Sequence, residues 1–364
     1  MNTIFISVAS FRDPECNKTI KNMFDKAKYP ENLIFGICQQ NNQESTSELC
    51  YLSTNKIPQN QIRTINMNHH EARGPNFARY LCSTLYQNET WYFQIDSHMR
   101  FSNEWDAKLI SMFQKEENVR SNDNFIFSHY PKAIENYNEN QDEYDDNNIE
   151  YVPRNCKALI SDNEIPSQDG ANDMPATETP YPTPFLASGM VFAKAKPFLL
   201  KVPYDPYLDD IFVGEEVLHA ARLWTNGFDI LTPTTNISFH YYTRQDERKF
   251  WENVRNDSDA VRRVKYLLKL SPQKPLFLTK HLDKYGLGTV RPLQDYWNYM
   301  GLDYNNRIIF KNFCKNNNIE DYITTKTPNE YDKKSKLKLI FLLLLSVVLL
   351  ILIILLIIIL SVKY

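Results

Sequence analysis

The chain has 364 residues, 43% hydrophobic and 13% aromatic, with a formal net charge of −3, enough apolar sequence to build one large core or two. The near-balanced charge excludes a general nucleic-acid binder, which would carry a basic surplus. Nine glycines, with neither a GxGxxG pattern nor a P-loop, exclude the glycine-rich cradles that hold phosphates in many nucleotide-binding chains.

The six cysteines (Cys16, Cys38, Cys50, Cys82, Cys156 and Cys314) show no CxxC pair and no tight zinc spacing. Cys16, Cys38 and Cys82 fall inside apolar or helical patterns, so buried free thiols are expected, which fits a reducing compartment. The N-terminus, MNTIFISVAS, has no basic segment and enters a strand at once, unlike a signal peptide.

Ile4–Ala9 alternates and then runs apolar, a first strand that ends at Ser10-Phe11-Arg12-Asp13 and is stopped by Pro14. Asn17–Ala27 carries Ile20, Met23, Phe24 and Ala27 on one face, as a helix does. Leu33–Cys38 and Ile62–Met67 read as further strands. His69-His70-Glu71-Ala72-Arg73-Gly74 then leads to Pro75, suited to the first position of a helix over Phe77–Tyr86. This alternation predicts an α/β fold with a mostly parallel, doubly wound sheet.

Trp91–Asp106, WYFQIDSHMRFSNEWD, is the stretch around which the chain is organised. Residues 91–95 are aromatic or β-branched and predict a short buried strand that ends in Asp96-Ser97-His98. Side chains two apart on an extended chain point the same way, so Asp96 and His98 share a face. A carboxylate beside an imidazole at the carboxyl end of a strand suits a divalent cation, and the mixed donor set leans toward Mn²⁺.

A helix follows at Asn103–Gln114 and a strand at Phe125–His129. Glu135–Glu150 is acidic, rich in Asn and poor in apolar residues, and is expected to be a mobile insertion. Pro175–Pro184 is a proline-dense lead into Phe185–Ala193. Asp205–Glu216 carries five acids and opens a helix at Glu215–Trp224, stopped by Asn226-Gly227. Ile230–Leu231 and Ile237–Phe239 are short strands, the second ending at His240-Tyr241-Tyr242. Lys249–Leu270 is amphipathic and basic, Thr279–Arg291 reads as a loop and Pro292–Met300 as a short helix. Leu339–Val362 is 24 almost uninterrupted apolar residues, about 36 Å as a helix against a hydrocarbon core of ~30 Å. Lys333, Lys334, Lys336 and Lys338 flank it on the N-terminal side. A single-pass tail anchor with the globular part facing the cytosol is therefore expected.

Three groups of residues carry the expected chemistry. Arg12, Arg73 and Arg79 are candidate partners for a donor diphosphate, because a guanidinium fork matches phosphate oxygens; Arg73 also precedes a helix N-terminus. His240 is the candidate third metal ligand beside Asp96 and His98, with His69 and His70 as weaker alternatives. Asp209, Asp210, Glu215 and Glu216 form an acidic cluster in which one carboxylate would face an acceptor hydroxyl, although acids at a helix start are also favoured by the dipole. Trp224, Trp251 and Tyr241 are aromatic candidates for a sugar face.

With IFISVASFRDPEC, ARGPNFAR, YFQIDSHMRF, DDIFVGEEVLHAARLWTNGFD and HYYTR in this order, the chain resembles the GlcNAc-transferase family. That family is typified by the cytoplasmic enzyme that attaches N-acetylglucosamine to a hydroxyproline of a ubiquitin-ligase adaptor. The resemblance implies a GT-A-type nucleotide-sugar-binding fold, a UDP-sugar donor, a protein or glycan acceptor and transfer with retention. It implies a divalent cation, Mn²⁺ or another, held by an Asp-x-His form of the DxD motif with Asp96, His98 and His240 as ligands. Arg12, Asp13, Arg73, Arg79 and Asp96 become the expected donor contacts, and Asp210, Glu215 and Glu216 the expected catalytic carboxylates. The domain plan that follows is a transferase domain over 1–262, a helical extension over 263–330, a basic linker over 331–338 and the transmembrane helix over 339–362. Two competing readings are a GT-A enzyme using UDP-glucose or UDP-galactose on a glycan, and a membrane-anchored binding protein that has lost catalysis.

Overall fold

The structure, a computed structural model, describes residues 2–42, 44–51, 56–137, 150–243, 247, 249–250, 258–315 and 322–323. Met1–Asp321 is one compact unit.

The first half is a run of buried strands crossed by helices. β1 (Ile4–Phe11) is followed by α1 (Cys16–Lys26), β2 (Leu33–Asn41), β3 (Ile62–Asn68), α2 (Pro75–Ser83) and β4 (Trp91–Asp96). β1 pairs in parallel with β2 on one side and β4 on the other, and β2 continues the parallel set to β3. Strands paired in this way are covered on both faces, which is why Ile4, Phe5, Ile6 and Val8 are all buried rather than alternating.

Beyond β4 the chain forms β5 (Met99–Phe101), α3 (Trp105–Arg120), β6 (Phe125–Ser128) and β7 (Lys132–Ala133). Short strands β8 (Tyr151–Asn155), β9 (Ala158–Ile160), β10 (Pro166–Gln168) and β11 (Ala171–Pro175) pair among themselves, β8 with β11 and β9 with β10. β12 (Tyr181–Thr183), β13 (Met190–Lys194), α4 (Ala195–Lys201), α5 (Glu215–Thr225), β14 (Asp229–Thr232), β15 (Ser238–His240), α6 (Ser258–Leu267) and α7 (Leu293–Met300) complete the described elements up to residue 300.

The central sheet runs β12-β14-β6-β13-β4-β1-β2-β3. It is mixed: β13 is antiparallel to both β4 and β6, while β14 is parallel to β6. Trp91, Phe93, Phe113, Phe127 and Phe192 fill one core cluster against it. Trp91 stacks on Phe192 with ring centroids 5.2 Å apart, so the aromatic run that marks β4 in the sequence packs against β13 in the core.

Two expectations are corrected. Among the described residues no helix is long and apolar enough to cross a membrane, and the apolar run 339–362 lies outside them. The longest described helix, α3, has 16 residues, about 24 Å against a ~30 Å hydrocarbon core, and is interrupted by Asp106, Lys115, Glu116 and Glu117. The expected transmembrane helix, tail anchor, membrane partner and cytosol-facing orientation thus find no support among the described residues. The second correction concerns thiols. Cys16 is bonded to Cys50 and Cys156 to Cys314, and only Cys38 and Cys82 are free. Sequence spacing hides both bonds because they join segments 34 and 158 residues apart. Disulfides persist where thiols are not kept reduced, so the reducing compartment loses its support. The expected insertion at 135–150 falls, for 138–149, outside the described residues, as do Trp251 and, with it, residues 251–257 of the helix expected at Lys249–Leu270.

Candidate metal centre and donor cavity

β2 and β3 lie on one side of β1 and β4 on the other, so the winding reverses between β1 and β4. Ligands of open α/β sheets bind outside the carboxyl ends of the strands at such a reversal. Asp96, the last residue of β4, sits there, paired in register with Ala9 of β1. The chain then turns through Ser97 and His98 into β5. α1 braces the turn: the Thr19 hydroxyl donates to the Ser97 carbonyl at 2.8 Å and accepts from the Met99 amide at 2.9 Å.

β15 pairs antiparallel with β5, with His240 opposite Met99, and the Tyr241 amide donates to the His98 carbonyl at 3.1 Å. This pairing places the rings of His98 and His240 with centroids 4.6 Å apart. Asp96 Oδ2 lies 3.2 Å from His240 Nε2. One potential ligand atom from each of Asp96, His98 and His240 lies within 4.8 Å of the others.

The environment suits a cation. Burial pushes the Asp96 carboxyl up, but the hydrogen bond from His240 and the charges of Arg79, His240 and His98 outweigh it and hold the group well below the usual carboxylate range. Gly189, just before β13, lies so close that a Cβ there would stand 2.7 Å from Asp96 Oδ2. One carboxylate and two imidazoles match the oxygen and nitrogen preferences of Mn²⁺-like ions, and three protein ligands leave positions for ligand oxygens. The three residues thus form a candidate divalent-metal site. His69 and His70 lie in a short 3₁₀ turn after β3 and are not part of it.

The metal site opens into a cavity of about 340 Å³ that Asp13, Arg79, Glu215 and Glu216 also line, with Tyr130, Tyr241 and Tyr242 on its walls. Arg79 is buried and holds two carboxylates, Glu215 through one nitrogen and Asp96 Oδ1 at 3.3 Å through the other. Arg12 instead pairs with Glu48 at 3.0 Å and Arg73 with Asp209 at 2.5 Å, and neither is among the cavity-lining residues. Asp210 does not line the cavity either; its amide donates to the Arg73 carbonyl at 3.1 Å. Asp205, also in the acidic segment, is locked in a buried pair with Arg263 at 2.8 Å.

Glu215 and Glu216 open α5 but differ in surroundings. Burial raises the Glu215 carboxyl and Arg79 only partly offsets this. Glu216 accepts from the Ser188 amide at 2.8 Å, the Tyr130 hydroxyl at 2.9 Å and the Gln168 amide nitrogen at 3.0 Å. Burial pushes it up to about 7. Sequence reasoning missed Tyr130, Gln168, Ser188 and Gly189, which sit in short loops or strands whose pairing no local pattern signals. Trp224 faces away from the cavity, stacked against Tyr299 with centroids 5.3 Å apart and its Nε1 donating to the Pro292 carbonyl.

The family described as Glycosyltransferase (GlcNAc) matches residues 3–57 and 50–306 of this chain. No curated protein sequence matches it. Among solved structures, that of GalNAc-T7 with UDP, GalNAc and Mn²⁺ superposes with a TM-score of 0.55 at 13% identity, covering 82% of this chain and 56% of that one. The chain thus spans little more than half the length of that relative, and the likeness shows the fold. Staphylococcus aureus TarS 1–349 in complex with UDP-GlcNAc has a TM-score of 0.42 at 9% identity, covering 78% of this chain and 71% of that one. The GT-A-like sheet, its switch-point cavity and the match over most of the sequence lead to one assignment: the chain belongs to the GlcNAc glycosyltransferase family.

Proposed function

We propose that the chain transfers N-acetylglucosamine from UDP-GlcNAc to a hydroxyl of a protein or glycan, with Mn²⁺ or a similar divalent ion held by Asp96, His98 and His240. The observation that carries this reading is the convergence of those three side chains, from the end of β4, the turn after it and the end of β15, in the lining of one cavity. The family description names GlcNAc, and the GalNAc-T7 structure contains a UDP, an N-acetylhexosamine and Mn²⁺.

When bound, the cation supplies Lewis-acid neutralisation of the departing diphosphate. The chain's own residues prepare the rest. Arg79 keeps Asp96 ionised and Glu215 satisfied, so it organises the site from beneath instead of gripping the diphosphate. Asp13, Arg12 and Arg73, expected as donor contacts, are each engaged by other protein groups. Tyr241 and Tyr242 form the wall against which a sugar or base can lie. Glu216 is the carboxyl suited to orient a sugar or acceptor hydroxyl, since it faces the cavity and changes protonation near neutrality. Transfer with retention requires no base in line with the acceptor, which agrees with Glu215 being tied to Arg79.

The test is hydrolysis of a panel of UDP-sugars (GlcNAc, GalNAc, glucose and galactose) with Mn²⁺ and with a chelator. Mn²⁺-dependent release of UDP, fastest from UDP-GlcNAc, is expected. Preference for UDP-glucose or UDP-galactose would overturn the donor, and absence of turnover on all four would overturn the enzymatic reading.

A further inference from the structure

Asp13 follows β1, in the segment Arg12-Asp13-Pro14-Glu15, and is 1% exposed. Both carboxylate oxygens already have protein donors. Oδ1 accepts from the Glu15 amide at 2.9 Å, and Oδ2 accepts from the Ser97 hydroxyl at 2.5 Å. His98 Nδ1 lies 2.7 Å from the same Oδ2. A carboxylate oxygen only accepts, so this contact requires the hydrogen of neutral His98 to be on Nδ1, which leaves the Nε2 lone pair as the ring's ligand atom.

We propose that Asp13 is a positioning residue of the metal centre: it sets the tautomer and ring orientation of His98 so that Nε2 is presented to the cation. The inference rests on the metal reading above and reassigns Asp13 from donor contact to support of a ligand. The arrangement has three tiers. Glu15 and Ser97 hold the Asp13 carboxylate, the carboxylate holds His98, and His98 completes the ligand set with Asp96 and His240. Ser97 and His98 are consecutive, so the turn braced by Thr19 delivers both donors to one oxygen. Carboxylate support of a ligating histidine raises its basicity and removes the entropy of choosing a ring orientation.

The experiment uses the full chain with Mn²⁺ alone as probe. Calorimetric titrations compare the parent, Asp13→Asn, His98→Asp and the double variant, with circular dichroism to confirm folding. At pH 8 the ¹⁵N spectrum of histidine-labelled parent reports the His98 tautomer, its signals identified by their absence in His98→Asp. The expected results are an Nδ1–H tautomer in the parent, an affinity loss of about 10–100-fold in Asp13→Asn, and no further loss when Asp13→Asn is added to His98→Asp, where no ring remains to orient. An Nε2–H tautomer in the parent overturns the proposal even if Asp13→Asn fails to fold. Equal losses in both backgrounds, or parent-like affinity in folded Asp13→Asn, also overturn it while leaving the metal site in place. If the parent binds no Mn²⁺, the metal reading itself falls, and this inference with it.

Discussion

Arg79 lines the cavity and is also engaged by two carboxylates of the chain itself. The sequence points it at a diphosphate, yet it is buried between Glu215 and Asp96. Removing it strands two carboxylates, so Arg79→Ala is expected to lower unfolding free energy by about 3–5 kcal/mol. Arg73→Ala breaks a half-exposed pair with Asp209 and is expected to cost under about 1 kcal/mol. Urea unfolding of both variants checks this, and equal losses would contradict the buried role of Arg79. Glu216 supplies a pH signature. Its carboxyl is raised from 4.5 to about 7, first by burial and also by the neighbouring Glu215, against the hydrogen bonds from Ser188 and Tyr130. The fold therefore holds this proton more tightly than the unfolded chain does. That stabilisation is complete below pH 4.5 and is lost as pH rises through about 7, a change on the order of 3 kcal/mol. His129, lowered by burial to about 4, acts in the opposite sense, with stability falling as pH drops below its ordinary range. The difference between parent and Glu216→Gln isolates the first effect; parallel pH–stability curves for the two would contradict it.

Among the elements, β4 was legible because a run of Trp, Tyr, Phe and Ile has one good use, a strand buried on both faces, but the strand ends at Asp96, and it is the turn through Ser97 and His98, braced by Thr19, that brings His98 beside Asp96. The pairing of β15 with β5 was not legible. It joins His240 to Met99 across more than a hundred residues, and no local pattern encodes such a register. The short strands β8–β11 were missed for a related reason: each is three to five residues long, too short for a hydrophobic period, and they pair with one another. Gly189 is a loop position whose meaning appears only in three dimensions. Gly189→Ala is expected to displace the Asp96 carboxylate, because the alanine methyl would stand 2.7 Å from Asp96 Oδ2, while leaving the sheet intact. Mn²⁺ affinity should fall by about tenfold or more with little change in melting temperature; unchanged affinity would show that Asp96 tolerates the contact. The disulfides close loops of 34 and 158 residues, for which chain entropy gives about 4 and 5 kcal/mol. Reduction under native conditions is expected to lower the denaturant midpoint, and an unchanged midpoint would contradict a stabilising role.

For the molecule as a whole, the α/β alternation predicted the side of the sheet on which function would lie. The winding reverses between β1 and β4, and the ligand candidates gather at that reversal. The mixed strand β13 escaped the sequence reading because a buried apolar run looks the same in either direction. Donor binding at this reversal depends on a cation that bridges the protein and a nucleotide diphosphate. The most direct measurement is calorimetric titration of UDP into the chain with Mn²⁺ present and again with a chelator, for the parent and for folded Asp96→Asn. The expected result is UDP binding by the parent that requires Mn²⁺ and is lost in Asp96→Asn. UDP binding of equal strength in all four titrations, or none in any, would contradict the central claim that Asp96, His98 and His240 form the metal centre of a UDP-sugar site.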